Sequence, residues 1–234
     1  MFAALHCNQL EDMMENELKY AGNVRKTFEG HGFRAALFDF DGVLMDTEGQ
    51  YTRFWNEVAR SLVPCDNFAQ MVKGQTLAEI IDKYFAGRDS DRVRMVELLN
   101  QFERDIDYGY IAGAREFVEK LKGEGVLTAV VTSSNVPKME NVYRTHPEFA
   151  GLFDAILTSE DFGKSKPAPD CYLAAMKRLG VEAAQCAVFE DSLHGLASGR
   201  DSGAFVVGLA TTNPRETIAG KADIVIDDFT QLLS

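Results

Sequence analysis

Cysteine is scarce in this sequence and is never closely paired. The 234 residues include four cysteines, and no two of them form a Cys-x-x-Cys segment. A zinc site built on paired cysteines is therefore not expected. Cys171 and Cys186 lie in apolar segments, which predicts buried thiols. Few, scattered cysteines are typical of proteins in a reducing cytoplasm, and that location is expected here.

Positive charge is also scarce. The sequence has 24 lysines and arginines against 36 aspartates and glutamates, so its formal net charge is -12. A protein this acidic repels nucleic acid and anionic membrane surfaces, and neither is an expected partner. It can still bind a small phosphorylated metabolite if a cation and a few basic side chains collect in one cleft.

Long apolar runs are missing as well. No segment approaches the roughly 20 apolar residues that a membrane-spanning helix needs. The start at Met1 has no basic segment before its short apolar run, so a signal peptide is not expected. The sequence does not settle the oligomeric state, and a monomer is slightly favoured.

Apolar residues are nevertheless plentiful, and at 46% of the chain they can fill a substantial core. The length suits one large domain or a domain with a smaller insertion. In residues 1–33, helical spacing of Met14, Leu18, Ala21 and Val24 predicts an N-terminal helical extension packed outside the core. Met13 or Met14 could equally be the true start.

Apolar strands alternate with helices through most of the chain. Strands are predicted at residues 34–38, 126–131, 154–157, 186–189, 205–209 and 224–226, the last as a short edge strand. One intervening helix has Pro169 at its start and Gly180 at its end. The alternation predicts an α/β fold with a doubly wound, mainly parallel sheet.

The region after the first strand follows a different pattern. Between residues 49 and 111, three amphipathic helical faces occur with no strand pattern between them. We therefore predict a helical cap domain at 49–111, inserted into an α/β core domain of residues 34–48 and 112–234. Asp46 and Glu48 lie at the hinge between the two, where Asp46 is expected to anchor the loop.

Polar side chains cluster where the predicted strands end. Ligands of such sheets bind outside the carboxyl ends of the strands, so these side chains are expected to meet at one edge. They are Asp39 and Asp41 after the first strand, Thr132 to Asn135 after the second, Lys166 after the third, and Glu190, Asp191 and Ser192 at the fourth. The Asp-x-Asp spacing places the first two carboxylates on one side of the chain.

The order and types of these residues resemble the four motifs of the haloacid dehalogenase superfamily of phosphohydrolases. Asp39-Phe40-Asp41-Gly42 resembles the first motif, Thr132 the second and Lys166 the third. Glu190-Asp191-Ser192, followed by Gly195, resembles the fourth. The resemblance covers about residues 34–234, and the helical insertion stands where the branch with β-phosphoglucomutase and many small-molecule phosphatases carries its cap.

The resemblance implies a role for each motif residue. Asp39 would attack phosphorus and become an aspartyl-phosphate, and Asp41 would serve as acid and then base. Mg²⁺ would be held by the carboxylates of Asp39 and Asp191 and the backbone carbonyl of Asp41, with Glu190 close by or acting through water. The groups expected at the phosphoryl oxygens are Gly42, Thr132, Ser133 with its backbone amide, Ser134 and Lys166. Lys166 would also offset the repulsion among the carboxylates.

Several neighbouring residues allow two interpretations. Ser134 and Asn135 are better suited to capping the next helix than to binding substrate, although both roles are open. Lys73-Gly74-Gln75-Thr76 is an ordinary turn or a loop that dips into the site. The resemblance favours the loop, with Lys73, Gln75 and Thr76 reaching the substrate. His194 is expected to be a supporting or surface residue.

The favoured function is a Mg²⁺-dependent phosphohydrolase of a small phosphorylated metabolite, such as a sugar phosphate. A phosphomutase like β-phosphoglucomutase is the alternative, and two departures weaken it. The mutase pattern calls for a hinge histidine and a cap arginine, where this sequence has Tyr51 and Leu77. A dehalogenase would not need Asp41, and a catalytically idle binding protein would not need the complete residue set.

Overall fold

The structure, a computed structural model, describes residues 22–233. Helix α1 occupies residues 22–29, and its Val24 and Phe28 are buried against the sheet. Val24 belongs to the apolar face that the sequence predicts. The rest of that predicted helix, with Met14, Leu18 and Ala21, and both alternative starts lie outside the described residues.

The described strands form one six-stranded sheet in which every pairing is parallel. The strands are β1 (Ala35–Phe38), β2 (Leu127–Val131), β3 (Ala155–Leu157), β4 (Cys186–Glu190), β5 (Phe205–Leu209) and β6 (Ile224–Ile226). Their order is β3-β2-β1-β4-β5-β6, which puts β1 in the interior and β6 at an edge. The predicted α/β class, with a doubly wound parallel sheet, is confirmed.

Helices cover both faces of the sheet. They are α6 (Ala114–Gly123), α7 (Val136–Thr145), α8 (Asp170–Leu179), α9 (Leu193–Asp201) and α10 (Arg215–Ile218). The side chains of β1 alternate between two apolar clusters, with Ala36 and Phe38 in one and Ala35 and Leu37 in the other. A strand buried on both faces reads as an unbroken apolar run, which explains why the sequence shows it so plainly.

Local signals fix two helices that border the site. The Asn135 side chain accepts a hydrogen bond from the Lys138 amide, 3.0 Å away, and so caps α7, with Pro137 in its first turn. The predicted ends of α8 are also observed, since Pro169 precedes it and Gly180 ends it with φ +67°.

Residues 48–105, called here the helical cap, contain four helices among the described residues. They are α2 (Glu48–Ser61), α3 (Phe68–Val72), α4 (Leu77–Tyr84) and α5 (Asp89–Asp105). They pack around an apolar cluster of their own that includes Trp55, Phe68 and Leu99. The sequence predicted three helices here and missed α3, because five residues are too few to show a helical period.

Two further expectations concern cysteines and membrane spans. Cys171 and Cys186 are buried free thiols, as predicted. In the described part of the chain, no helix combines the length and the apolar character needed to cross a membrane.

Candidate active site

The carboxyl edge of the sheet collects the polar residues that the sequence singled out. Asp39 directly follows β1, Thr132 follows β2, and Glu190 is the last residue of β4. Because β1 lies between β2 and β4, these three side chains come from neighbouring strands. Lys166, from the loop after β3, reaches into the same place.

Lys166 is at the centre of this group. Its Nζ lies 2.9 Å from Asp39 Oδ1 and 2.6 Å from Glu190 Oε1, and it donates a 3.1 Å hydrogen bond to the carbonyl oxygen of Val131. The residue is only 2% exposed. Burial by itself would lower the pKa of the ammonium, but the Asp39 and Glu190 carboxylates outweigh it and raise that pKa. Lys166 therefore stays charged.

Glu190 is occupied on both oxygens. Besides Lys166, Oε1 accepts a 2.7 Å hydrogen bond from the Tyr172 hydroxyl. Oε2 accepts from the Asp191 amide at 3.2 Å and the Ser192 hydroxyl at 3.3 Å. A Cβ on Gly195 would lie 1.9 Å from this carboxylate, so only glycine fits at that position. These contacts make Glu190 an anchor for Lys166.

Asp191 presents the opposite situation. It is 1% exposed, yet neither of its carboxylate oxygens has a hydrogen-bond partner among the described residues. Burial, followed by repulsion from Glu48, Glu190 and Asp39, raises the pKa of this carboxyl well above its usual value. An ionised carboxylate in such a place needs a cation to be stable.

Three carboxylates come close enough together here to surround a cation. Ligand oxygens of Asp39, Glu190 and Asp191 lie within 4.8 Å of one another. Carboxylate oxygens suit Mg²⁺, so the unpartnered Asp191 carboxylate fits a magnesium site. Gly42 borders it with φ +75°, and a Cβ there would come within 2.3 Å of Asp191 Oδ2. The glycine keeps that approach open.

Two opposing effects act on the pKa of the Asp39 carboxyl. Burial, together with repulsion from Glu190 and Asp41, raises the pKa of its carboxyl to about 7, although Lys166 acts in the opposite direction. A cation beside Asp39 would favour the ionised form, which is the form that can act as a nucleophile.

Asp41 makes a set of contacts that the sequence did not reveal. The Thr47 hydroxyl donates to Oδ1 at 2.5 Å, and the Ser134 hydroxyl donates to Oδ2 at 3.1 Å. The Lys138 ammonium lies 2.6 Å from Oδ1 and 2.5 Å from Oδ2. Lys138 and Thr47 were absent from the predicted site.

One signal in the sequence could have identified Lys138. It stands four residues before the buried Val142 and next to the buried Met139, on the apolar face of α7. A lysine on such a face requires a partner, and a carboxylate at the end of the adjacent strand is a natural one. Lys138 is accordingly only 3% exposed.

The four residues that follow β2, Thr132 to Asn135, make different hydrogen bonds. The Thr132 hydroxyl accepts a 3.0 Å hydrogen bond from the Ser134 amide, and the Ser133 hydroxyl donates to the Gly74 carbonyl oxygen at 3.3 Å. Asn135 caps α7, as expected, whereas Ser134 turns to Asp41 and does not cap the helix. Both serines, with Asn135, line the cleft.

A cavity of about 110 Å³ separates this edge from the helical cap. The cap contributes polar residues to the lining, among them Glu48 and Glu103, and an apolar surface. We call that apolar surface the cap wall: Trp55, Ala69, Val72, Leu77, Ile80 and Leu99. Lys73 also lines the cavity, but its ammonium pairs with Glu48 at 2.8 Å. Gln75 lines it too, while its amide donates to the Met71 carbonyl oxygen at 2.5 Å.

Two residues near the cavity make contacts with the loop between α3 and α4 and not with the cavity itself. Thr76 is outside the lining, and its hydroxyl instead accepts from the Glu79 amide as the N-cap of α4 in a capping box. His194 is exposed, and its Nδ1 lies 3.3 Å from the Lys73 carbonyl oxygen. His194 therefore contacts the loop, and Thr76 shapes it.

Comparison with known proteins gives a consistent family. The haloacid dehalogenase-like hydrolase family matches residues 36–209. A validoxylamine A 7'-phosphate phosphatase of Streptomyces hygroscopicus is 30% identical over 86% of this chain and 96% of its own. A β-phosphoglucomutase of Mycobacterium tuberculosis is 29% identical over 86% and 91%.

A solved structure agrees with these relatives. A family IA, variant 3 hydrolase of the same family from Entamoeba histolytica superposes with a TM-score of 0.73 at 26% identity. The match covers 85% of this chain and 94% of that one.

Proposed function

The chain belongs to the haloacid dehalogenase-like hydrolase family, and we propose that it is a Mg²⁺-dependent phosphohydrolase of a small phosphorylated metabolite. The observation that carries this proposal is the buried Lys166, which joins the Asp39 and Glu190 carboxylates beside the unpartnered carboxylate of Asp191. A nucleophile, a fixed positive charge and a cation site thereby meet at one strand edge.

The reaction proceeds in two displacements. A carboxylate oxygen of Asp39 attacks phosphorus, and the bond from phosphorus to the leaving oxygen breaks as Asp41 gives that oxygen a proton. Asp41 then takes a proton from a water molecule, whose oxygen attacks the aspartyl-phosphate. The Asp39–phosphorus bond breaks, inorganic phosphate leaves, and the enzyme returns to its starting state.

The surrounding groups stabilise charge during both displacements. Lys166 stands 2.9 Å from Asp39, where it offsets the negative charge that builds on the phosphoryl oxygens. The residues that would hold Mg²⁺ are Asp39 and Asp191 by carboxylate and Asp41 by its backbone carbonyl, with Glu190 nearby. When bound, the ion would neutralise phosphoryl oxygens and favour in-line displacement.

The cavity supports a small substrate with a partly apolar leaving group. At about 110 Å³ it is smaller than the roughly 300–1,000 Å³ that accommodates a drug-sized ligand. The cap wall can contact the carbon face of a phosphorylated sugar, and the 30% identical relative is named as a phosphatase of a small phosphorylated compound, validoxylamine A 7'-phosphate. The acidic chain argues against nucleic acid as a partner, and the free thiols of Cys65, Cys171 and Cys186 fit a reducing cytoplasm.

Turnover by the purified protein tests the proposal. Phosphorylated sugars, nucleotides, pyrophosphate and p-nitrophenyl phosphate would be offered with and without Mg²⁺, and free phosphate measured. We expect phosphate release that needs Mg²⁺ and that Asp39→Asn abolishes, because an amide is a poor nucleophile. Near-normal release by a folded Asp39→Asn protein would refute the assignment.

A phosphomutase is the second candidate, favoured by the relatives named β-phosphoglucomutase. A mutase must bind a bisphosphate in two orientations, and the mutase pattern has a cap arginine for the second phosphate. The cap wall has Leu77 at that position. We therefore expect water to intercept the phosphoenzyme first.

The two candidates differ in product. The protein would be given β-glucose 1-phosphate and a trace of the 1,6-bisphosphate, with separate assays for glucose 6-phosphate and free phosphate. Glucose 6-phosphate that forms well ahead of free phosphate would establish the mutase and reject the hydrolase.

A further inference from the structure

The Asp41 carboxylate is fully engaged in this structure. A carboxylate accepts about four hydrogen bonds, and Asp41 accepts one from Thr47, one from Ser134 and two from the Lys138 ammonium. The two hydroxyl donors are neutral, whereas Lys138 brings a full positive charge to 2.5–2.6 Å from both oxygens. Hydrogen bonds between two oppositely charged groups are strong and fix the orientation of the carboxylate.

Lys138 is in turn held from the helical cap. Its ammonium lies 4.3 Å from the centroid of the Tyr51 ring on α2, a favourable cation–π distance. The Tyr51 hydroxyl donates a 2.8 Å hydrogen bond to Glu103 on α5, a carboxylate that is 6% exposed. One lysine of the core therefore connects Asp41 to two helices of the cap.

We propose that Lys138 is a positioning residue for Asp41, held in place by the Tyr51 ring. The proposal rests on the proposed function, in which Asp41 gives a proton to the leaving oxygen and takes one from water. To exchange a proton, one oxygen of Asp41 must give up a bond to Lys138. The ammonium keeps hold of the other oxygen, so the carboxylate stays aimed at the reacting atoms.

This role predicts which steps depend on Lys138. Proton donation to a poor leaving group and activation of water both use Asp41, so both should slow without the lysine. Attack of Asp39 on an ester with a good leaving group needs no proton and should be unaffected. If Lys138 instead bound the substrate, its loss would weaken binding of every ester.

The test compares Lys138→Met, Asp41→Asn and the double variant on p-nitrophenyl phosphate and on the best alkyl phosphate of the substrate panel. For the alkyl ester we expect kcat/KM of Lys138→Met to fall about 10²-fold. For the aryl ester we expect kcat/KM within about threefold of the unaltered protein, while kcat and KM fall together because the water step becomes limiting.

The double variant shows whether Lys138 acts through Asp41. In the Asp41→Asn background, Lys138→Met should cause no more than about a threefold further loss, because the group that it positions is already gone. Lys138→Arg should recover part of the alkyl-ester rate, since a guanidinium also pairs with both oxygens of a carboxylate. Lys177→Met, which removes an exposed lysine on α8, serves as the control.

Three outcomes would overturn the proposal. A raised KM for both esters would make Lys138 a substrate ligand, and fully multiplying losses in the double variant would separate it from Asp41. An activity loss in Asp41→Asn that does not depend on the leaving group would remove the acid role of Asp41 and the proposal with it, while the Asp39 result would stand.

If Lys138→Met does not fold, Tyr51→Leu tests the same step. We expect the same fall in aryl-ester KM, and an unchanged KM would contradict the proposal.

Discussion

The two sides of the cleft are built on different physical principles. The floor, at the sheet edge, consists of buried charged groups that hold one another, such as Lys166 between Asp39 and Glu190. The roof, on the helical cap, carries the apolar cap wall, and its charged residues are bound within the cap: Lys73 to Glu48, and Glu103 to Tyr51. Buried charge requires exact partners, whereas an apolar wall tolerates exchange of similar residues. We infer that the floor fixes the chemistry and the roof selects the substrate.

Replacing one lysine on each side should give the largest contrast. Lys166→Met should lower kcat by about 10²–10³-fold, because it removes a charge aimed at the phosphoryl oxygens. Lys73→Met should leave kcat near normal and change KM by less than about tenfold, since this lysine is partly exposed and already paired. Steady-state kinetics on one substrate compares the two. Equal losses of kcat in the two variants would show that floor and roof do not differ in their contribution to the chemical step.

Magnesium should stabilise the floor even without turnover. A ligand at about 100 times its Kd adds roughly 2.7 kcal/mol to the free energy of unfolding. We expect Mg²⁺ to raise the thermal midpoint of the unaltered protein and not that of Asp191→Asn. Asp46→Asn, which removes an exposed carboxylate at the hinge, is the control and should keep the response. A normal Mg²⁺ shift in Asp191→Asn would place the ion elsewhere.

The smallest effect is expected from the loop that joins α3 and α4 in the roof. Thr76→Ala removes the N-cap hydroxyl of α4 and should lower the free energy of unfolding by about 1 kcal/mol. Thr76→Ser keeps the hydroxyl and should lose far less. Denaturant titration measures both, and kcat should change little in either. A large loss of kcat in Thr76→Ala with normal stability would show that Thr76 acts on the substrate after all.

The floor was readable from the sequence because it follows strand ends. The apolar runs end in polar or charged residues, which have no use in a buried strand, so Asp39, Thr132 and Glu190 stand out. A parallel sheet then brings them together without further information. The sequence also predicted β6 as a short edge strand, as observed.

Contacts between distant residues and very short elements were harder to predict. The pairing of Lys138 with Asp41 joins residues 97 positions apart; the apolar face of α7 shows that the lysine needs a partner but not which carboxylate supplies it. Helix α3 spans five residues and shows no period. These two features depend on tertiary packing, which the hydrophobic pattern of the sequence does not show. The Thr76 hydroxyl, by contrast, caps α4 in a box with Glu79, and the Thr-x-x-Glu spacing was a signal for that role that the sequence prediction did not use.

Trapping the phosphoenzyme tests the central claim most directly. Asp41→Asn would be mixed with p-nitrophenyl phosphate and Mg²⁺, quenched in acid, digested and analysed by mass spectrometry. The leaving group needs no acid, but the water step lacks its base, so the covalent intermediate should accumulate. We predict phosphate on the peptide that contains Asp39, and none when Asp39→Asn is added. Phosphate on another residue, or turnover with no covalent intermediate, would contradict the account.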